Sequence, residues 1–209
     1  MRTERVLRLA VAAAALIAAT AGAHEAASAR ADFVPPAPGT YRLERIMQAP
    51  EGTVLDTSRK RGKLSAFTQG KITLLSLMYT SCSDEKGCPL AFYSLQLIQR
   101  DLEKAKSAHG RVRLVSLSFD PEHDTPTVLK QYAEKFEAKA GWLFLTGKKE
   151  AMALITRRLG QTSPDLESHE GQFILGNVPA AHWRKLRPNV PAAVIVTHLR
   201  QLAGQLPVD

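Results

Sequence analysis

The chain has 209 residues and a formal net charge of +8 at pH 7, and 44% of its residues are hydrophobic. This composition is that of an ordinary soluble globular protein, long enough to bury a full core without covalent staples. The basic residues are scattered, with no aromatic platform or nucleic-acid motif beside them, which argues against a nucleic-acid partner. A solvated basic surface is the simplest interpretation, and an acidic protein partner or an anionic membrane is the alternative.

The first 23 residues have the pattern of a secretory signal peptide. Three arginines precede an apolar run over residues 9–19, and Ala21-Gly22-Ala23 supplies small residues at a cleavage site. The run is short and rich in alanine, so a retained membrane anchor is the weaker alternative. We therefore predict a signal peptide over residues 1–23 and an exported, periplasmic protein, anchored in the membrane if the signal is not cleaved.

Residues 24–50 are predicted to form a linker. They begin with small residues and include Pro35-Pro36-Ala37-Pro38-Gly39, a stretch that cannot form a packed element. The folded domain is then expected to occupy residues 51–209.

The first half of this domain is predicted to contain two short strands, 53–56 and 63–67, followed by a buried strand over the apolar run 72–79. Pro89 suits the first turn of a helix that extends to about residue 107. The apolar face of that helix is predicted from helical spacing to contain Leu90, Leu95, Ile98 and Leu102.

The second half continues the alternation of strands and helices. Four elements are predicted in the order strand, helix, strand, helix: 112–119, 127–138, 142–146 and 148–159. A polar loop over 160–170 precedes a hairpin of strands 172–175 and 182–186, and a final helix begins near Pro191. This order predicts an α/β protein with a mixed central sheet flanked by helices and ending in a hairpin and a helix.

Both cysteines of the chain, Cys82 and Cys88, lie between the predicted strand 72–79 and the helix that starts at Pro89. In open α/β sheets, functional groups lie where the carboxyl end of a strand meets the start of a helix. The unpaired amides and positive partial charge of a helix start favour thiolate, the form that attacks disulfides and binds soft metals. Spacing alone also allows a structural disulfide or two inert thiols. The layout is that of the thioredoxin fold.

Four sequence blocks resemble the Sco/SenC family, whose members deliver copper to cytochrome c oxidase and help it to mature. The blocks are Tyr79-Thr80-Ser81-Cys82 with Cys88-Pro89, the stretch LSFDPEHDTP over 117–126, the stretch WLFLTG over 142–147, and a late histidine, His169, just before an apolar strand. The second block is the most specific because it is long and follows the cysteines in the right order. The resemblance covers about residues 50–176.

The resemblance implies a copper site. Carried across by motif, its ligands are Cys82, Cys88 and His169, which would hold one copper ion per chain as Cu(I), Cu(II) or both, since thiolates favour Cu(I) and imidazole suits either state. Asp120 and Asp124 are candidates to orient a ligand or take its proton. Helix capping and turn formation are the alternative roles for these two aspartates.

Two features depart from the family pattern. Five residues separate Cys82 from Cys88, where the family has three. His169 lacks the aspartate that often precedes the family histidine, and His182 is the alternative ligand if His169 points away. The cysteine spacing makes the copper prediction depend on a longer and more polar loop.

The leading functional hypothesis is therefore a metallochaperone and not a turnover enzyme. It would be an exported copper-binding assembly factor that passes copper to an acceptor protein, an oxidase subunit by the resemblance. The alternative is a thiol–disulfide oxidoreductase in which Cys82 attacks and Cys88 resolves, keeping the metal-site cysteines of an exported partner reduced. A third class is an exported binding module with a permanent disulfide and neither metal nor redox activity.

Overall fold

A computed structural model of the protein describes residues 51–82, 88–105, 108, 110–159, 173–177, 182–186 and 190–204. For Cys88, Pro89, Asn177 and residues 182–185 it describes the backbone only. The predicted signal peptide, the predicted linker and the loop that contains His169 lie outside these residues. Within these ranges, none of the helices has the length and hydropathy needed to cross a bilayer.

The described residues form one mixed sheet. Its strands are β1 Thr53–Asp56, β2 Arg61–Lys63, β3 Ile72–Met78, β4 Val112–Ser118, β5 Trp142–Gly147, β6 Phe173–Asn177 and β7 His182–Leu186. Their spatial order is β2-β1-β5-β4-β3-β6-β7. Strands β3, β4 and β5 are parallel, whereas the remaining neighbours are antiparallel. The predicted mixed sheet with a C-terminal hairpin is confirmed.

Helices cover both faces of the sheet. They are α1 Leu64–Thr68, α2 Cys88–Lys104, α3 Pro126–Lys135, α4 Lys149–Arg158 and α5 Ala192–Gly204. One apolar layer joins the sheet to α2, α3 and α5, and a second joins it to α1 and α4. Alternate residues of β3 serve the two layers, as Leu74 packs in the first and Leu75 in the second.

Strand β3 is the centre of this arrangement. All seven of its residues are buried because β4 and β6 pair with its two edges and helices cover its two faces. Its parallel register with β4 runs from Ile72 opposite Val112 to Met78 opposite Ser118, so the two strands end at the same level. The residues that follow each strand are thereby brought side by side.

Two local predictions are wrong. The stretch Lys63–Phe67 was predicted to be a strand, but Leu64–Thr68 is a helical turn. Leu64 and Thr68 are both buried, and the Thr68 hydroxyl donates to the Leu64 carbonyl at 3.1 Å, a bond that needs helical spacing. Leu90 was placed on the apolar face of α2, yet it is 45% exposed, and Phe92 occupies the core in its place, stacked near Trp142 and Phe144.

Candidate functional site

The two cysteines lie in and at the end of the connection between β3 and α2. Cys82 follows the last residue of β3 by four positions and is half-buried, and Cys88 is the first residue of α2. The prediction that the pair lies between a strand end and a helix start is confirmed. Residues 83–87, which join the two cysteines, lie outside the described residues.

The start of α2 favours an anionic group. The helix spans 17 residues and has no acidic side chain in its first turn, so within that turn no carboxylate offsets the positive end of the helix dipole. Leu90 and Tyr93 expose 45% and 57% of their surfaces on the first two turns of this helix. The β3–α2 connection, which contains Cys82, therefore leads into a positive helix end whose first two turns carry solvent-exposed apolar side chains.

The end of β4 lies beside the end of β3. The Phe119 N–H donates to the Met78 carbonyl at 3.1 Å, and the rings of Tyr79 and Phe119 pack edge to face with centroids 5.1 Å apart. The turn that follows β4 contains Asp120 and Asp124, the two aspartates singled out in the sequence. The connections after β3 and after β4 therefore start side by side, at the carboxyl ends of these two parallel strands.

Asp124 ties the two connections together. Its side chain is fully buried and accepts hydrogen bonds from three donors. The Thr80 N–H lies 3.1 Å from Oδ2, the Thr80 hydroxyl donates to Oδ1, and the Ser118 hydroxyl lies 2.6 Å from Oδ2. One carboxyl group thereby joins the chain two residues before Cys82 to the end of β4.

Burial raises the pKa of Asp124 above its ordinary value. Hydrogen bonds from Ser118 and Thr80 oppose this rise because they stabilise the carboxylate, and the nearby charge of Asp120 adds to it. On the solvent side, His123 places Nδ1 3.7 Å from Oδ1 of Asp124 and leaves 51% of its own side chain exposed.

Asp124 does not cap the next helix, contrary to one of the alternatives from the sequence. Thr125 is the N-cap of α3, where its hydroxyl accepts from the Val128 N–H at 3.4 Å, and Pro126 starts the helix. Asp120 is half-buried and shapes the turn through its backbone. Its N–H donates to the Ser118 hydroxyl at 3.0 Å, and its carbonyl accepts from the Asp124 N–H at 2.8 Å.

The proposed third ligand is not among the residues that the structure describes. His169 lies outside them, and His182 is described only as backbone of β7. Within the described ranges, no three histidine, cysteine or acidic side chains come together as a metal-ligand set. The set of Cys82, Cys88 and His169 therefore stays a prediction.

Thr80 and Ser118 were missed as functional candidates. Both lie inside motifs quoted from the sequence, but they meet through Asp124, which Thr80 contacts across 44 positions of the chain. The available signal was that parallel neighbours end at one edge, so a polar residue after one strand faces the turn after the other. That signal predicts proximity without identifying which side chains pair.

A cleft of about 410 Å³ lies at the opposite edge of the sheet, at the starts of β4 and β5. Its lining includes Val112, Leu114 and Gly141, together with Glu103 and Lys139, which form an ion pair at 2.8 Å. Seven-residue strands separate this edge from the cysteine connection, a distance of about 20 Å. The cleft is thus separate from the cysteine chemistry.

Comparison with known proteins agrees with the resemblance seen in the sequence. The family model described as SCO1/SenC matches residues 55–203. Over 84 residues the chain is 32% identical to the SCO1 protein homolog of Bacillus subtilis (strain 168), which is 40% of this chain and 41% of the relative. Over 88 residues it is 32% identical to the SCO2-like protein of Rickettsia felis, which is 42% of this chain and 40% of the relative. The matched segments thus span about two fifths of either relative.

Solved structures share the thioredoxin-like fold. Arabidopsis thaliana ScoI with copper bound matches with a TM-score of 0.60 and 21% identity over 74% of this chain and 99% of that one. Yeast Sco1 with copper bound gives a TM-score of 0.63 and 19% identity, covering 76% and 93%. BsSco, a Sco-family cytochrome c oxidase assembly protein in which a disulfide switch was identified, gives 0.62 and 23%, covering 82% and 98%.

Proposed function

We propose, on the premise that this chain belongs to the SCO1/SenC family, that it is an exported assembly factor that binds copper and passes it to a cytochrome c oxidase subunit. The observation that carries the proposal is the placement of Cys82 within the β3–α2 connection and of Cys88 at the first position of α2. Soft thiolates at a positive helix end suit Cu(I), and a site on a connection at the edge of the sheet suits an ion that must leave again.

Copper is the cargo in this proposal. Cys82 and Cys88 would supply two sulfur ligands, and His169 would supply a nitrogen that serves Cu(I) or Cu(II). The copper-bound structures of Arabidopsis ScoI and yeast Sco1 support this choice of metal by similarity of fold. Transfer would follow by ligand exchange, in which donor atoms of the acceptor replace those of this chain one at a time.

The test is a Cu(I) titration of the reduced mature chain. The wild type is expected to bind one ion, and Cys82→Ser or Cys88→Ser is expected to abolish tight binding. His169→Ala is expected to weaken it, whereas His123→Ala, a half-exposed histidine outside the ligand set, serves as the control. Unchanged stoichiometry and affinity in either cysteine variant would disprove the copper site.

A thiol–disulfide oxidoreductase is the second candidate, favoured by the five-residue spacing between the cysteines. The Cys82 thiolate would attack a partner disulfide, form a mixed disulfide and release one partner thiolate. Cys88 would then attack Cys82, which yields the Cys82–Cys88 disulfide and the reduced partner. Two electrons pass to the partner, and an exported dithiol reductant must restore the pair.

His169→Ala separates the two candidates. A reductase needs no third ligand, so its rate of reducing a partner disulfide should be unchanged by this substitution, whereas copper affinity should fall. Either cysteine variant should abolish both activities. A chain whose disulfide resists mild reductant, and which takes up no copper after forced reduction, would be an exported binding module.

Export through the first 23 residues is part of the same proposal, with residues 24–50 as the linker to the domain. The Bacillus anthracis lipoprotein of the SCO1/SenC family, which shares the fold with a TM-score of 0.63 and 23% identity, is consistent with a position at the outer face of a membrane. Mass spectrometry of the chain recovered from the periplasm and from the membrane fraction tests this. A mature protein that begins at His24 would confirm cleavage, and an intact N-terminus in the membrane fraction would indicate an anchor.

A further inference from the structure

We propose that Asp124 is a positioning residue for Cys82, acting through the hydrogen bonds by which it holds Thr80. This inference rests on the proposed function, because it concerns how the same site presents its first thiol. It also assigns different roles to the two aspartates of the turn, since Asp120 engages its surroundings through its backbone.

The geometry of Thr80 is the first argument. Both its backbone N–H and its hydroxyl donate to the Asp124 carboxyl, so the position of this residue and the rotamer of its side chain are fixed together. Cys82 follows two residues later, after the exposed Ser81. Consecutive Cα atoms lie 3.8 Å apart across a trans peptide, and two peptide units separate the Cα of Cys82 from the Cα of the anchored Thr80.

Burial is the second argument. Asp124 is 0% exposed, although a carboxyl group in a turn is ordinarily solvated. Keeping an ionisable group there is costly unless it is fully hydrogen-bonded, and its three donors come from the ends of two different strands. A turn that only leads into a helix does not need a buried carboxyl group. The N-cap of α3 is already supplied by Thr125.

The carboxyl group has two sides that can be perturbed separately. Thr80 lies on the cysteine side, whereas Ser118 lies on the β4 side and also accepts from the Asp120 N–H. Thr80→Val removes one hydroxyl and keeps the side-chain shape and the backbone bond. Ser118→Ala removes one hydroxyl with two hydrogen bonds, so a purely structural role makes Ser118→Ala the more damaging change.

The experiment compares these variants by two readouts. The first is Cu(I) affinity of the full reduced chain, with the Cu(II)–thiolate absorption band as a spectroscopic check. The second is the rate at which iodoacetamide alkylates Cys82 in a Cys88→Ser background, where Cys82 is the single thiol of the chain because the sequence has two cysteines. Circular dichroism confirms that each variant is folded.

We expect Thr80→Val to weaken Cu(I) binding about tenfold, the lower end of the loss seen when groups that orient metal ligands are removed, and to change the alkylation rate. Ser118→Ala should leave both readouts within about twofold of the wild type, and Thr80→Ser, which keeps the hydroxyl, should restore them. The positioning role is disproved if Ser118→Ala shifts both readouts as much as Thr80→Val, or if neither variant shifts either.

Failure of the copper proposal remains distinguishable from failure of this one. If the wild type takes up no copper, the proposed function is wrong, while the alkylation comparison still decides whether Thr80 and Asp124 position the thiol. Glu122→Gln is the matched control, since this carboxylate belongs to the same turn but is exposed and paired with Lys149. It should leave both readouts at the wild-type level.

Discussion

The connections that follow β3 and β4 both start at the carboxyl ends of these parallel strands, and each leads into a helix. They differ in how far their polar groups are hydrogen-bonded and buried. After β4, the turn pairs its polar groups through the Thr125 cap, the bond from the Asp124 N–H to the Asp120 carbonyl, and the buried Asp124 carboxyl, which accepts from Ser118 and Thr80. After β3, the chain exposes Ser81, leaves Cys82 half-buried and starts a helix without an acidic first turn. The connection after β4 is held by hydrogen bonds at its start and end, and the connection after β3 carries Cys82 two residues after Thr80, which is bonded to that turn.

The largest expected effect on stability comes from Asp124→Ala in the turn that follows β4. Removing the acceptor leaves the Thr80 N–H and the Ser118 hydroxyl without their buried partner, which should lower the free energy of unfolding by about 2–3 kcal/mol. Urea denaturation at neutral pH measures this change. Glu122→Ala in the same turn is the control and should be nearly neutral. Equal losses in the two variants would show that the buried carboxyl is not the anchor.

The pH dependence of stability should carry the signature of the same group. Because burial raises the pKa of Asp124 in the folded chain, its protonated form is favoured there. Its contribution to stability is present in full below the unfolded-state pKa of about 3.9 and is lost as the pH rises through the higher folded-state pKa. The free energy of unfolding of the wild type, relative to Asp124→Asn, should therefore fall across this window.

Denaturation at a series of pH values checks that sign. Asp120 and His123 also face Asp124, and they remain in both proteins, so the difference between the two isolates Asp124. A difference that grows with pH would mean that hydrogen bonding to the carboxylate outweighs its burial.

Thr125→Ala should have a smaller effect, confined to the start of α3. Loss of an N-cap hydroxyl lowers the free energy of unfolding by about 1 kcal/mol. Thr127, an exposed residue in the first turn of the same helix, is the matched control. Thermal unfolding of both variants makes the comparison, and similar melting temperatures would show that the cap contributes nothing here.

The smallest change in stability is expected in the β3–α2 connection, at Cys82. Cys82→Ser replaces one atom of a half-buried residue and should alter the free energy of unfolding by less than about 0.5 kcal/mol, although it should abolish the proposed copper binding. Denaturation under reducing conditions measures the first quantity and copper titration the second. A large stability loss in Cys82→Ser would mean that this thiol is also part of the packing.

The fold was largely predictable because its strands and helices carry strong hydrophobic periodicity. The run 72–79 is apolar throughout, and the structure places it at the sheet centre, where both faces are buried. The strand predicted over residues 63–67 was wrong because alternation and helical spacing look alike over so short a stretch, which the structure forms as the helical turn Leu64–Thr68. Leu90 was wrongly placed in the core because the apolar residues of the first helical turn fit either of two faces of the helix. The packing of Phe92 against Phe144 determines which face is buried, and Leu90 lies on the other.

The candidate site was predictable to the level of position. Local sequence puts Cys82 and Cys88 at a strand end and a helix start, and the structure has them there. The contact between Thr80 and Asp124 could not be predicted in the same way, because it depends on the register of β3 against β4 and on the depth at which Asp124 is buried. Such a contact is fixed by tertiary packing and leaves no local pattern in either segment.

The central position of β3 has a consequence for backbone dynamics. Its amides are bonded to β4 and β6 and covered on both faces, so hydrogen exchange at these positions requires opening of the whole sheet. Four residues beyond Met78, the chain reaches a half-exposed thiol. The chain therefore passes from the segment expected to exchange most slowly to the Cys82 thiol within four residues, at most about 14 Å of extended chain, so this thiol directly follows the best-protected strand.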